Sequence, residues 1–297
     1  NAQGRILLSG TPIQNDLSEI WNLFEFANPG YLGSYQQFGD RFILPIEKKK
    51  DKEKQHLLKQ LISPFILRRT KAEVLDELPE KTELIVPVEL SEEEMAIYEN
   101  IRTRTLSGLQ SEKINPIEAL MALTKLRQAA CSPELIDKHL TIPSSKIRVF
   151  LELVSELKEN KHRALVFSQF TSFLALVRQA LDKAGIEYLY LDGSVPAAQR
   201  KKLVETFQNG DMPLFLISLK AGGTGLNLTA ADYVIHLDPW WNPAVEDQAS
   251  DRAYRIGQKR PVTIYKLISE KTVEQKILEL HKTKKNLADA LLEGSDV

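Results

Sequence analysis

Beyond residues 6–8, a compact apolar run that reads as a strand, hydrophobic positions take up helical spacing. Leu17, Ile20, Trp21 and Phe24 recur three and four apart and set one face of a helix against a core. Gly10, Pro12 and Asn15 mark the loop of this strand–loop–helix unit. Pro29, Gly30 and Gly33, followed by the charge run 47–54, read as surface connections, the lysines as a solvated helix start in preference to the alternative of a DNA contact. Residues 57–66 supply a second apolar helix. The segment 67–81, LRRTKAEVLDELPEK, is highly charged and broken at Pro79, and reads as a linker. Ser91 with Glu94 three residues on makes a capping box for an amphipathic helix to about Leu109, and Pro116 opens another that lasts to about Ala130.

From Ser145 the period changes, because helical stretches begin to alternate with short β-rich runs. Ile147, Phe150, Leu151, Val154 and Leu157 form a helix face. After them come a strand at 164–168, a helix at 173–181 ending by Gly185, a strand at 188–191 and a helix at 196–207 stopped by Gly210. Strands at 214–218 and 233–237 follow, then a helix at 243–254 entered through Asn242, a strand at 262–268 and a long helix at 272–292. Strands separated by crossover helices predict an α/β fold, with a parallel sheet covered on both faces. Ligands of such sheets sit beyond the carboxyl ends of the strands, which directs attention to the loops after Ser168, Leu191, Ser218 and Leu237.

Composition narrows the classes. The 297 residues are 43% hydrophobic and 27% charged, with 39 basic against 40 acidic side chains, which excludes a disordered tail, a collagen-like repeat and a strongly basic arm. No apolar run approaches the ~20 residues that cross a bilayer, so no membrane partner is expected. A lone cysteine, Cys131, forms no internal disulfide and no CxxC motif, and points to a reducing compartment. The start at Asn1 reads as a piece of a longer chain.

Two segments carry chemistry. In KAGGTGLNLTAAD, after the strand at 214–218, three glycines in four positions leave backbone N–H groups free to approach phosphate oxygens. A tight turn is the plain alternative; a dinucleotide fingerprint does not fit, since the third glycine is missing and a strand follows. In the predicted helix 243–254, Gln248, Arg252 and Arg255 lie at i, i+4 and i+7 and share one face. That face suits a nucleoside triphosphate, whose transition-state charge two guanidinium groups would stabilise. A solvated face with an Asp251–Arg255 pair is the competing reading.

The strings LLSGTPIQN, LRRTKAEVLDELPEK, LVFSQFT, YLDGSVPAAQR, SLKAGGTGLNLTAADYVIHLDPWWNP and EDQASDRAYRIGQKRPVTIYKLI occur in that order. Together they resemble the Swi/Snf family of DNA-dependent ATPases within helicase superfamily two, over residues 5 to about 280. The resemblance implies two RecA-like lobes that sandwich ATP and move along duplex DNA. On that pattern residues 1–70 are the end and helical protrusion of lobe one, and 71–90 the linker. Residues 91–140 are a helical insertion, 141–270 the whole of RecA-like lobe two, and 271–297 a brace helix. Neither GxxxxGK with Ser or Thr nor a DExH strand occurs in the chain. ATP and Mg2+ would therefore be held mainly by a missing part of lobe one, and the chain alone should not hydrolyse ATP.

By the same resemblance Gly10, Thr11 and Gln14 sense nucleotide, while Arg68 and Arg69 couple the lobes. Ser168, Gln169, Gly193 and Ser194 touch the DNA backbone, for which capping turns are the alternative. Lys220, Gly222, Gly223 and Gly225 form the loop that bridges DNA and nucleotide, with Leu226 and Asn227 beside the nucleotide. Trp241 matches the tryptophan near DNA, although Trp240 leaves open which indole faces it. Arg252 and Arg255 match the arginine fingers, and Gln248 the glutamine of the same motif. The partners implied are double-stranded DNA, the N-terminal RecA-like lobe and a protein cargo on DNA. Two further functions remain open, a non-catalytic DNA-binding scaffold and a strand-separating helicase. PGYLGSYQQF and FILPIEK resemble bacterial members, which implies a cytoplasmic, nucleoid-associated location, or a nuclear one if the source is eukaryotic.

Overall fold

The structure, a computed structural model, describes residues 4–10, 12–13, 16–69, 77–109, 116–222 and 225–292. It divides into two compact units, one of Asn1–Asp76, Asn242–Ala244 and Leu280–Val297, the other of Glu77–Trp241 and Val245–Glu279.

The first unit is helical. It contains α1 (Ser18–Ala27), α2 (Tyr35–Phe38), a π-helical stretch (Gly39–Lys48) and α3 (Lys52–Ile62). Leu17, Ile20, Phe24, Phe38, Phe42, Leu58 and Ile62 bury their side chains together with Leu291 and Leu292 from near the chain's end. The lysine run is a helix start, because the Asp51 carboxylate accepts from the Lys54 N–H at 3.0 Å and caps α3. Residues 6–8 do not form the expected strand. Ile6 and Leu8 are 87% and 96% exposed, and no described strand pairs with them, so their backbone groups lack the ladder that makes a strand.

The second unit is built on six parallel strands in the order β1-β6-β5-β2-β4-β3. Along the chain these are β1 (Lys81–Val88), β2 (Ala164–Ser168), β3 (Tyr188–Leu191), β4 (Leu214–Ser218), β5 (Tyr233–His236) and β6 (Val262–Ser269). The chain's remaining helices are α4 (Glu92–Leu109), α5 (Pro116–Cys131), α6 (Ser145–Glu159), α7 (Thr171–Lys183), α8 (Ala197–Asn209), the single turn α9 (Leu219–Gly222), α10 (Pro243–Ser250) and α11 (Val273–Leu292), the last belonging to the first unit from Leu280 on. Every residue of β2 and β4 is buried, and successive side chains feed opposite layers. Ala164 and Val166 join Phe150 and Val154 of α6 and Phe173 and Val177 of α7. On the opposite face, the lower core, Leu165 and Phe167 join Phe207 of α8 and Ala249 of α10. The predicted capping box closes α4, with the Ser91 N–H donating to Glu94 at 2.8 Å and the Glu94 N–H donating to the Ser91 hydroxyl at 3.2 Å.

Two boundaries differ from the expectation. The segment read as linker, 71–90, contains β1, whose register against β6 runs from Lys81↔Val262 to Val88↔Ser269. Its exposed Glu83, Leu84, Ile85 and Pro87 carry no alternation, because an edge strand takes its identity from its neighbour and tolerates proline. The helix expected over 243–254 ends at Ser250. Beyond it the Arg252 and Ala253 N–H groups donate three residues back, to the Ala249 and Ser250 carbonyls at 3.1 Å, and the Arg252 carbonyl accepts from the Leu228 N–H at 2.9 Å, so the chain leaves the α-helical ladder for a turn.

Candidate functional site

The early end of α10 changes the arginine face. Gln248 lies on the helix and is exposed, but Arg252 and Arg255 sit on the turn beyond it, so the three do not share one helical face. The Arg252 N–H donates to Ala249, the Gln258 N–H to Arg255, and Gly257 supplies φ +96° for the reversal. Arg252 is 9% exposed, and its basicity is lowered first by burial and then by the charge of Arg255, with Asp251 opposing. Arg255 is exposed. Two guanidinium groups close enough to repel form a place where an anion lowers the energy of both.

The glycine segment meets this turn. It leaves β4 through α9, where Lys220 is exposed, and Gly225 takes φ +59°. Gly222 closes α9, and Gly223 lies outside the described residues. Leu226 is half-buried on the lower core while Asn227 is exposed, and the Leu228 N–H binds the Arg252 carbonyl. Gln258, which the sequence did not single out, holds the two loops together. Its Nε2 donates to Thr229, Ala231 and Ala253 carbonyls at 3.0, 2.8 and 3.1 Å, and its Oε1 accepts from the Lys259 and Arg260 N–H groups.

At the end of β2, Ser168 is buried. Its hydroxyl donates to Asp238 and accepts from the Phe170 N–H at 3.1 Å, so this residue is a capping turn. The Gln169 N–H also donates to the Asp238 carboxylate. After β3, Gly193 and Ser194 are exposed. The Ser194 hydroxyl donates to Asp192 at 2.6 Å, which holds that carboxyl below its usual range. Gly10 and Arg69 are exposed and Arg68 half-buried, on irregular chain of the first unit; Thr11 and Gln14 lie outside the described residues.

Trp240 and Trp241 are both half-buried, but of the two Trp240 packs on the lower core, and its backbone N–H donates to Glu246 at 2.7 Å. Beneath them is a second residue the sequence did not reveal. Arg127 of α5, 3% exposed, places its guanidinium carbon 5.3 Å from the centroid of Phe170, 5.3 Å from Trp240 and 5.1 Å from Trp241. Its Nη2 donates to the Pro239 carbonyl at 2.5 Å and lies 3.7 Å from the Asp238 carboxylate. Burial raises the Asp238 pKa and lowers that of Arg127, and each charge opposes the effect on the other. The available signal was a charged residue set among Leu126, Ala129 and Ala130 on a buried helix face.

A parallel sheet with switch-point loops bearing a glycine segment and two arginines defines an α/β protein of the helicase C-terminal type. Residues 1–135 match the SNF2-related domain and residues 145–257 the helicase conserved C-terminal domain. The chain belongs to the SNF2 family of ATPases. It is 42% identical to YwqA of Bacillus subtilis, over 98% of this chain and 33% of that protein. It is 40% identical to an "Uncharacterized ATP-dependent helicase" of Mycoplasma pneumoniae, over 97% of this chain and 28% of that protein. The chain thus spans about a third of these relatives' length. A Sulfolobus solfataricus SWI2/SNF2 ATPase core solved in complex with dsDNA superposes with a TM-score of 0.63 at 36% identity, covering 94% of this chain and 60% of that one.

Proposed function

We propose that this chain is the C-terminal motor half of an ATP-dependent translocase on double-stranded DNA. The observation that carries the reading is the coupling of the arginine turn to the glycine segment, through the Leu228–Arg252 hydrogen bond and the three carbonyls held by Gln258. An anion bound at Arg252 and Arg255 would therefore move the same backbone that carries Lys220 and Asn227. Relatives named as ATP-dependent helicases and a relative core solved on dsDNA support nucleotide and duplex as the two ligands.

In this reading Arg255, the exposed member of the pair, reaches the triphosphate, and Arg252 is fixed behind it with its carbonyl tied to the loop. Guanidinium groups so placed stabilise charge on the transferring phosphoryl group and need no proton transfer of their own. Lys220, Gly193 and Trp241 meet the duplex without reading sequence, as backbone-directed contacts do. Among the described residues no group of three His, Cys, Asp or Glu side chains is placed to hold a metal ion.

The test is steady-state ATP hydrolysis, with and without duplex DNA, by this chain, by a chain joined to an N-terminal RecA-like lobe, and by that longer chain carrying Arg255→Ala. Turnover should need the longer chain and be stimulated by duplex. Arg255→Ala should lower it by ~10³ to 10⁵, or roughly 4 to 7 kcal/mol of barrier. A loss within a few fold would return the arginines to a surface role.

A further inference from the structure

Arg127 is an expensive residue to bury, and nothing in the phosphate chemistry above uses it. At 3% exposure it offers almost no surface to a ligand. Three aromatic rings stand 5.1 to 5.3 Å from its guanidinium carbon, and its Nε is buried with no hydrogen-bond partner. The group is therefore held by ring faces on its surfaces and by the Pro239 carbonyl and the Asp238 carboxylate at its edge. Neighbouring residues of an extended chain point to opposite sides, yet Trp240 and Trp241 both reach this one cation, so the chain after β5 wraps around it. The same Asp238 accepts from Ser168 and from the Gln169 N–H, which ties in the turn after β2.

We infer that Arg127 is a positioning residue for duplex binding: its guanidinium fixes the indole of Trp241 and, through Asp238, the Ser168–Gln169 turn. The inference rests on the duplex reading of Trp241 given above. A planar guanidinium can stack against several rings while donating edgewise, whereas a lysine ammonium is a compact charge that serves the carboxylate but cannot lie flat among the rings. Arg127→Lys should thus keep the charge pair and release the indole.

The experiment measures binding of a fluorescein-labelled 20-base-pair duplex by anisotropy, for this chain, Arg127→Lys, Trp241→Ala and the double variant, with melting temperature followed for each. Arg127→Lys should bind roughly five- to tenfold more weakly at nearly unchanged melting temperature, and the loss should vanish when Trp241 is already alanine. The salt dependence should keep its slope, since no phosphate contact is removed. If Arg127→Lys binds like the parent while Trp241→Ala is weakened, or if the two losses multiply, the positioning role is overturned. If Trp241→Ala binds like the parent, the duplex reading of that residue fails instead, and the inference falls with it. Should Arg127→Lys melt markedly lower, Phe170→Leu removes one ring and leaves the ion pair. It should weaken binding in the same Trp241-dependent way, and unaltered binding by Phe170→Leu would overturn the role.

Discussion

His236, at the end of β5, is the clearest titration switch in the fold. It is buried, its Nε2 meets the Ser250 hydroxyl at 2.9 Å, and Phe167 stacks at 5.6 Å. Burial, aided by the charge of Lys266, lowers its pKa to about 3. The folded state therefore holds it neutral, while the unfolded chain takes up a proton near the ordinary value of ~6.5. Stability from this group is complete above that value and declines as pH falls from it toward the folded pKa, by up to ~1.4 kcal/mol per unit. Buried Asp238, Glu246 and Glu274 have raised pKa values and pull the other way, since the folded state then binds the proton. Urea unfolding of the parent and of His236→Gln at pH 7 and pH 5 isolates the histidine. The parent's advantage should shrink by about 2 kcal/mol between the two, and an unchanged advantage would mean that His236 is not held neutral. Arg252 and Arg255 were legible in the sequence because their type and spacing speak for themselves. Arg127 and Gln258 were not, because their meaning lies in partners as far away as the 112 residues from Arg127 to Pro239.

Among the elements, the starts of α6 and α11 and the end of β6 are joined by one buried ion pair. Lys146 Nζ, fully buried, donates to both Glu274 oxygens at 2.7 and 2.6 Å, and the Ser269 N–H donates to the same carboxylate at 2.8 Å. Such a pair need not stabilise more than apolar packing would, but breaking it strands a buried charge. Lys146→Met should lower unfolding stability by about 3 to 5 kcal/mol in a denaturant titration, and a loss under ~1 kcal/mol would contradict the burial of both partners. The core strands β2, β3 and β4 were readable to the residue, because apolar runs between turn signals leave little freedom. The end of α10 was not. No proline or glycine marks it at Ser250; the change to three-residue-back bonds at Arg252 and Ala253 does, in a turn that Leu228 and Gln258 hold by its carbonyls.

For the whole molecule the telling quantity is charge. A net −1 from 39 basic and 40 acidic side chains gives no long-range attraction to a polyanion. Duplex affinity then comes from a few local contacts, each adding about −0.9 to the slope of log K against log salt. An anisotropy titration between 50 and 200 mM salt should give a slope of roughly −2 to −5, well short of a protein that grips DNA through a basic face. A slope near −10 would mean that a cationic face, and not a few local contacts, carries the affinity.

Local signals along the chain were enough for the α/β class, the parallel strands of the sheet's centre, the carboxyl-end loops and the residues of the glycine and arginine motifs. Those follow from hydrophobic period and residue type, which are local. Contacts between distant segments were needed to make residues 81–88 a strand, to put Arg252 and Arg255 on a turn and to turn Ser168 inward. They also decided that Trp240 rather than Trp241 packs on the lower core. Each of these depends on which distant group claims a backbone carbonyl, a strand edge or a ring face, and no window along the chain contains that information.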